Sequence, residues 1–286
     1  NALSSSGKAL IFSSSDLIRF VPSANYFGTP GSLTVYAADG SQTLTSSISA
    51  TDTKTLTTGA TSPWSSATKT ISTTVTNVND RPTGTDASIS ENEDTSTAFT
   101  VSSLNFGYSD ATDNQSAITG GGNEATAMGG IAIVGNTADA ATQGTWQYNT
   151  GSGWTDIGTV SDGSALLLSN TAQLRFVPVA NYNGNPTGLD VRLSDTAVTY
   201  QAGQDISAAA ADTTGQWSTV VHLNATVVKQ NDAPVLTGTA ADPNAPENSS
   251  TDSGLSIDGV RLFNNDASIS DLDLNTTAGL SSTVFG

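Results

Sequence analysis

The chain has 286 residues, a formal net charge of −17, no cysteine and one histidine, and only 12% of its residues are charged. That excludes thiolate catalysis, Cys-ligated zinc, iron–sulfur clusters and His-built zinc hydrolase sites. Nine Lys+Arg against 26 acids make a surface that repels nucleic acid and anionic membranes, so neither is an expected partner.

Ser, Thr, Gly, Asn and Ala dominate the remainder, while the helix formers Lys, Arg and Met are scarce, and this balance predicts an all-β fold of short strands and many turns. No stretch approaches the roughly 20 apolar residues of a membrane span, so membrane insertion is not expected. With no signal peptide before Asn1, the chain reads as an internal piece of a mature protein.

The first feature in chain order is Lys8–Gly28, KALIFSSSDLIRFVPSANYFG, because it returns as Ser164–Gly184, SALLLSNTAQLRFVPVANYNG. Arg175 stands 156 positions after Arg19. Asn79-Asp80-Arg81-Pro82 returns as Asn231-Asp232-Ala233-Pro234, 152 positions on, and Glu91-Asn92 returns as Glu247-Asn248, again at 156. Length differences that cancel in this way belong in loops. The repeat has the size of an autonomous domain rather than a solenoid coil. The expected units are 1–82, the back of one repeat; 83–234, a complete repeat; and 235–286, the front of a third. On this alignment Asn1 corresponds to Ile157 and Gly286 to Gly130.

Within the unit the period is two. Leu33–Ala37, Leu174–Phe176, Leu189–Ser194 and Val221–Val227 alternate apolar with polar residues, as half-buried antiparallel strands do. Val177-Pro178 ends its strand, since proline donates nothing to a ladder. Gly144–Gly158 reads as a hairpin around Asn149-Thr150-Gly151-Ser152-Gly153. Asn25–Gly28 and Asn181–Gly184 read as structural corners, with Gly supplying a positive φ. Gly120-Gly121-Gly122 lacks the Lys and the strand-to-helix context of a phosphate loop and reads as a flexible loop. His222 falls on the polar parity of its strand and faces solvent. With no Gly-x-Ser-x-Gly elbow, no enzymatic activity is expected. Strands punctuated by turns every 8–12 residues or so predict β-sandwiches.

Three segments together resemble the cadherin-like tandem repeats of giant bacterial surface adhesins, including RTX adhesins. They are the hairpin Gly144–Gly158, the segment Ala165–Gly184 with its Leu-Arg-Phe-Val-Pro-Val-Ala-Asn-Tyr-Asn-Gly end, and the linker Asn231-Asp232-Ala233-Pro234-Val235 followed by Pro246-Glu247-Asn248. The resemblance implies tandem antiparallel β-sandwiches of cadherin-like or Ig-like type, outside the cell at a bacterial surface. They would serve there as extender and cohesion modules in adhesion or biofilm, often stiffened by Ca²⁺ between domains. The nearest partners are then neighbouring repeats of the same protein.

Calcium takes about six to eight oxygen ligands. The candidate ligands are Asn79, Asp80, Glu91, Asp110 and Asp113 at one junction and Asn231, Asp232, Glu247, Asp271 and Asp273 at the next. The alternative is that Asn-Asp-x-Pro is only a turn held by side-chain-to-backbone bonds. Two other readings stay open. Incomplete sandwiches at the two ends suggest head-to-tail complementation into a filament. Trp146, Tyr148 and Trp154 suggest a stacking platform for surface glycans, against the simpler reading that Trp146 and Tyr148, two apart, share the core face.

Overall fold

The computed structural model describes residues 8–41, 54–55, 61–231, 235–238 and 267–270. Among them the protein is all-β. The first described strands are β1 (Lys8–Ala9), β2 (Leu33–Val35), β3 (Lys54–Thr55) and β4 (Lys69–Ile71). The middle of the chain holds β5 (Ala87–Asn92), β6 (Phe99–Thr100), β7 (Gly130–Asn136), β8 (Gly144–Asn149) and β9 (Thr155–Asp156). It continues with β10 (Ala165–Ser169), β11 (Gln173–Pro178), β12 (Leu189–Ser194), β13 (Gln201–Gln204), one short helix, α1 (Ser207–Ala211), and β14 (Val221–Val228). β15 (Val235–Gly238) and β16 (Ala267–Ser270) pair with each other.

β5 to β14 form two sheets, a six-stranded one ordered β13-β10-β7-β12-β14-β5 and a four-stranded one ordered β6-β11-β8-β9. Alternation decides which side chains meet. Every second residue of β14 and β5 is buried, and the inward residues of both sheets join one cluster. Ile131, Ile133, Leu168, Leu189 and Leu223 come from the larger sheet, and Trp146, Leu174 and Phe176 from the smaller. Trp146 meets Phe176 edge-on with ring centroids 5.3 Å apart, and its indole N–H donates to the Thr187 carbonyl at 3.0 Å. The run Ala165–Leu168 does not alternate because its sheet is covered on both sides. Ala132, Ala165 and Leu167 pack outward against Val198, Ile206 and Trp217 of the β12–β14 connection.

The internal repeat is visible in strand register. β2 pairs β4 with Leu33 opposite Ile71, just as β12 pairs β14 with Leu189 opposite Leu223. Gly28 bridges Val75 as Gly184 bridges Val227, and Ala38 bridges Trp64 as Ser194 bridges Trp217. Burial is not repeated. Leu174, Phe176, Leu189 and Leu223 are enclosed, whereas their counterparts Ile18, Phe20, Leu33 and Ile71 are each about half exposed.

One pairing departs from the antiparallel expectation: β5 runs parallel to β14, Ala87 beside Leu223 and Asn92 beside Val228. The reason lies in the linker. Arg81 and Asp80 are held beside Thr213 and Asp113, at the end where β14 begins, so a strand leaving that linker runs with β14 and away from it.

Candidate cation sites at the two ends of the unit

The linker end is built from three loops. Asp110 precedes a 3-10 turn, Ala111–Asp113, and Asp195 follows directly on β12. All three carboxylates are buried, Asp113 at 1% exposure. Thr126 ties two of them together: its N–H donates to Asp110 Oδ2 at 2.7 Å and its hydroxyl to the Asp195 carbonyl at 2.5 Å. The linker then closes over the group. Asn79 Nδ2 donates to Asp195 Oδ2 at 3.0 Å, and the Asp80 N–H donates to Asp113 Oδ2 at 3.1 Å. Asp110 Oδ1 and Asp113 Oδ1 are left buried with no partner.

The electrostatics follow from this crowding. Burial raises the Asp110 carboxyl above the usual range; the Thr126 N–H opposes that, and the charges of Asp113 and Asp195 add to it. The partly buried Tyr108 hydroxyl is pushed up to about 12, chiefly by burial, with the same three aspartates contributing. Buried carboxylates that repel one another and keep unpaired oxygens are costly in the absence of a counter-charge. Among the described residues no three acidic or histidine side chains form a ready-made metal cage. What stands here is a partial set of oxygens, covered on one side by the linker.

Glu91 does not belong to that set. The sequence reading placed it with Asn79 and Asp80, but Glu91 lies four residues along β5 from Ala87, roughly 13 Å, at the end where β14 leaves the unit. There Glu91 is buried, with Oε2 accepting the Thr97 N–H at 2.9 Å and Oε1 unpartnered. Glu93, also buried, accepts the Gln230 N–H at 2.5 Å and Asn183 Nδ2 at 3.2 Å. Asn231 is exposed next to this group, while Asp232, Glu247, Asp271 and Asp273 lie outside the described residues. The predicted ligands therefore fall into two groups, Asn79, Asp80, Asp110 and Asp113 at one end and Glu91 and Asn231 at the other.

Sequence reasoning missed Asp195 and Glu93. A signal for the first was present, since Asp39 stands at the corresponding position of the preceding repeat, 156 residues earlier.

Burial pushes the Glu91 carboxyl up from 4.5 to about 7, opposed by the Thr97 N–H and the Arg175 guanidinium. The folded protein thus holds this proton more tightly than the unfolded chain does. Stability falls as pH rises from about 4.5 through about 7 and levels off above. Glu91→Gln keeps an acceptor for Thr97 without the charge. In chelator at pH 8 it is expected to be more stable than the parent by about 1–3 kcal/mol. Its denaturant midpoints should be flatter between pH 5 and 7; parallel profiles for the two proteins would exclude this account.

The remaining candidates resolve simply. Trp146 and Tyr148 are core residues, and the Tyr148 hydroxyl meets that of Tyr200 at 3.0 Å, so these two rings offer no open platform. Trp154 lies under the Arg175 guanidinium, 4.1 Å from its ring centre. His222 is exposed on β14, its Nδ1 paired with Asp190 Oδ1 at 2.9 Å. No described helix is long and apolar enough to cross a membrane. Comparison with protein-family models, curated proteins and solved structures finds no match to the chain.

Proposed function

We propose that the chain is a stretch of tandem β-sandwich repeats from the extender of a bacterial extracellular adhesin, in which Ca²⁺ at the ends of each repeat limits bending between neighbours. The observation that carries this reading is the bonding of the linker to the buried acids. Asn79 and Asp80 each hold one carboxylate, while Asp110 and Asp113 each keep a buried oxygen unpaired. Oxygen donors of this kind suit a hard cation with many ligands, and Asp110, Asp113, Asp195, Asp80 and Asn79 would hold it. Bound there, the ion would offset the repulsion among the acids and tie linker to repeat.

The exposed row Ile18, Phe20, Leu33 and Ile71 supports completion of the first repeat by further strands.

Small-angle scattering and a thermal melt, each with calcium and after exhaustive chelation, test the proposal. Calcium is expected to raise the melting temperature and lengthen the particle. Identical melts and identical scattering profiles would overturn it.

A further inference from the structure

The corner Asn25–Gly28 and the loop Gly120–Gly122, read from the sequence as a structural corner and a flexible loop, lie against each other across the linker. The Thr29 N–H donates to the Gly120 carbonyl at 2.8 Å, and the Gly122 N–H donates to the Phe27 carbonyl at 3.0 Å. The Tyr26 hydroxyl adds a third bond to the Gly120 carbonyl at 3.1 Å. Gly28 faces Gly121 in an antiparallel bridge on one side and Val75 on the other, so one strand step belongs to both repeats.

The fit is close. Phe27, 5% exposed, rests on Gly122, where a Cβ would stand 2.4 Å from Phe27 Cε2. A Cβ on Gly28 would stand 2.3 Å from the Gly120 carbonyl oxygen, and Gly28 also needs its φ of +122°. Glycine at both positions is thus demanded by the approach of one backbone to another. The loop is itself pinned, with the Gln115 N–H donating to the Gly122 carbonyl and the Gly121 N–H to the Ile118 carbonyl, both at 2.8 Å.

The same corner is built again at the far end of the unit. Asn181 and Gly184 have φ values of 59° and 134°, against 60° and 122° at Asn25 and Gly28. Gly184 exchanges both backbone bonds with Val227, as Gly28 does with Val75. Asn183 is exposed where Phe27 is buried.

We propose that the Asn25–Gly28 corner is a clasp between its repeat and the one that follows: its backbone adds a strand step to the Gly120–Gly122 loop and fixes the orientation of the two. The clasp rests on the reading of the chain as successive repeats, but it needs no ion. Because the linker already holds corner and loop together, a contact that is weak between separate molecules is enough to set their orientation.

The absence of cysteine permits a clean test on the whole chain. Spin labels at Ser72→Cys and Ser152→Cys, both exposed positions in different repeats, report the inter-repeat distance by pulsed electron resonance. In chelator the parent should give one narrow distribution, and Phe27→Ala or Gly122→Val should at least double its width. Phe27 lies outside the core of the complete unit, so unchanged tryptophan fluorescence confirms that the Phe27→Ala protein remains folded. Unchanged widths in both variants would overturn the clasp. A calcium effect on the melt with no effect of Phe27→Ala on width would leave the ion reading standing without the clasp. Broadening in Phe27→Ala with no calcium effect would do the reverse.

Discussion

Replacing Trp146 by alanine is expected to destabilise the two-sheet unit of β5 to β14 by about 3–5 kcal/mol. The indole is fully enclosed, stands edge-on to Phe176 and satisfies its N–H on the Thr187 carbonyl. Truncation removes the largest side chain at the centre of the core and leaves a cavity between two sheets whose strands hold their register. It also leaves the Thr187 carbonyl without its indole donor. Domains of this size are stable by about 5–15 kcal/mol, so the loss is about a fifth or more of the total, and for a domain at the low end of that range it approaches all of it. Urea titration followed by circular dichroism measures it. Trp146→Phe, which keeps an aromatic ring but not the N–H, should cost less than half as much. A loss below about 1 kcal/mol for Trp146→Ala would mean that the ring is not central to the core, and an aromatic platform for glycans would regain its basis.

Much of the unit was legible because alternation is a local property. Val221–Val227 and Leu189–Ser194 show their period in the residues themselves, and the hairpin at Gly144–Gly158 carries its own turn. The Asn-Tyr-x-Gly corners were found by repetition, and their matched dihedral angles show that like sequence built like backbone. What escaped was set by pairings distant in the chain. Nothing in Ala87–Asn92 says that it runs parallel to β14, and that single pairing moves Glu91 to the opposite end from Asp80. Asp195 joins Asp110 and Asp113 through folding alone, across 85 and 82 positions of sequence. Gly120–Gly122 looked free because its partner, Phe27, is nearly 100 residues away in the preceding repeat.

Asp113→Asn separates an ion site from a mere turn, because the two readings predict different signs. In chelator at neutral pH, Asp113 contributes a buried charge beside Asp110, whose own carboxyl is already raised by burial and by the neighbouring acids. An asparagine keeps an oxygen for the Asp80 N–H while removing that charge. The variant should then match the parent or exceed it by up to about 1 kcal/mol. With calcium at a hundred times its dissociation constant, the parent gains about 2.7 kcal/mol. For a unit of this length that is about 8 °C in melting temperature. The variant, short of one anionic ligand, should gain less than half of this. The order of stability therefore reverses between the two conditions, parent above variant in calcium and variant level or above in chelator. A turn held only by the bond from Asp80 to Asp113 produces no reversal. It shifts the variant by the same amount with and without calcium, and that result would remove the ion from the junction.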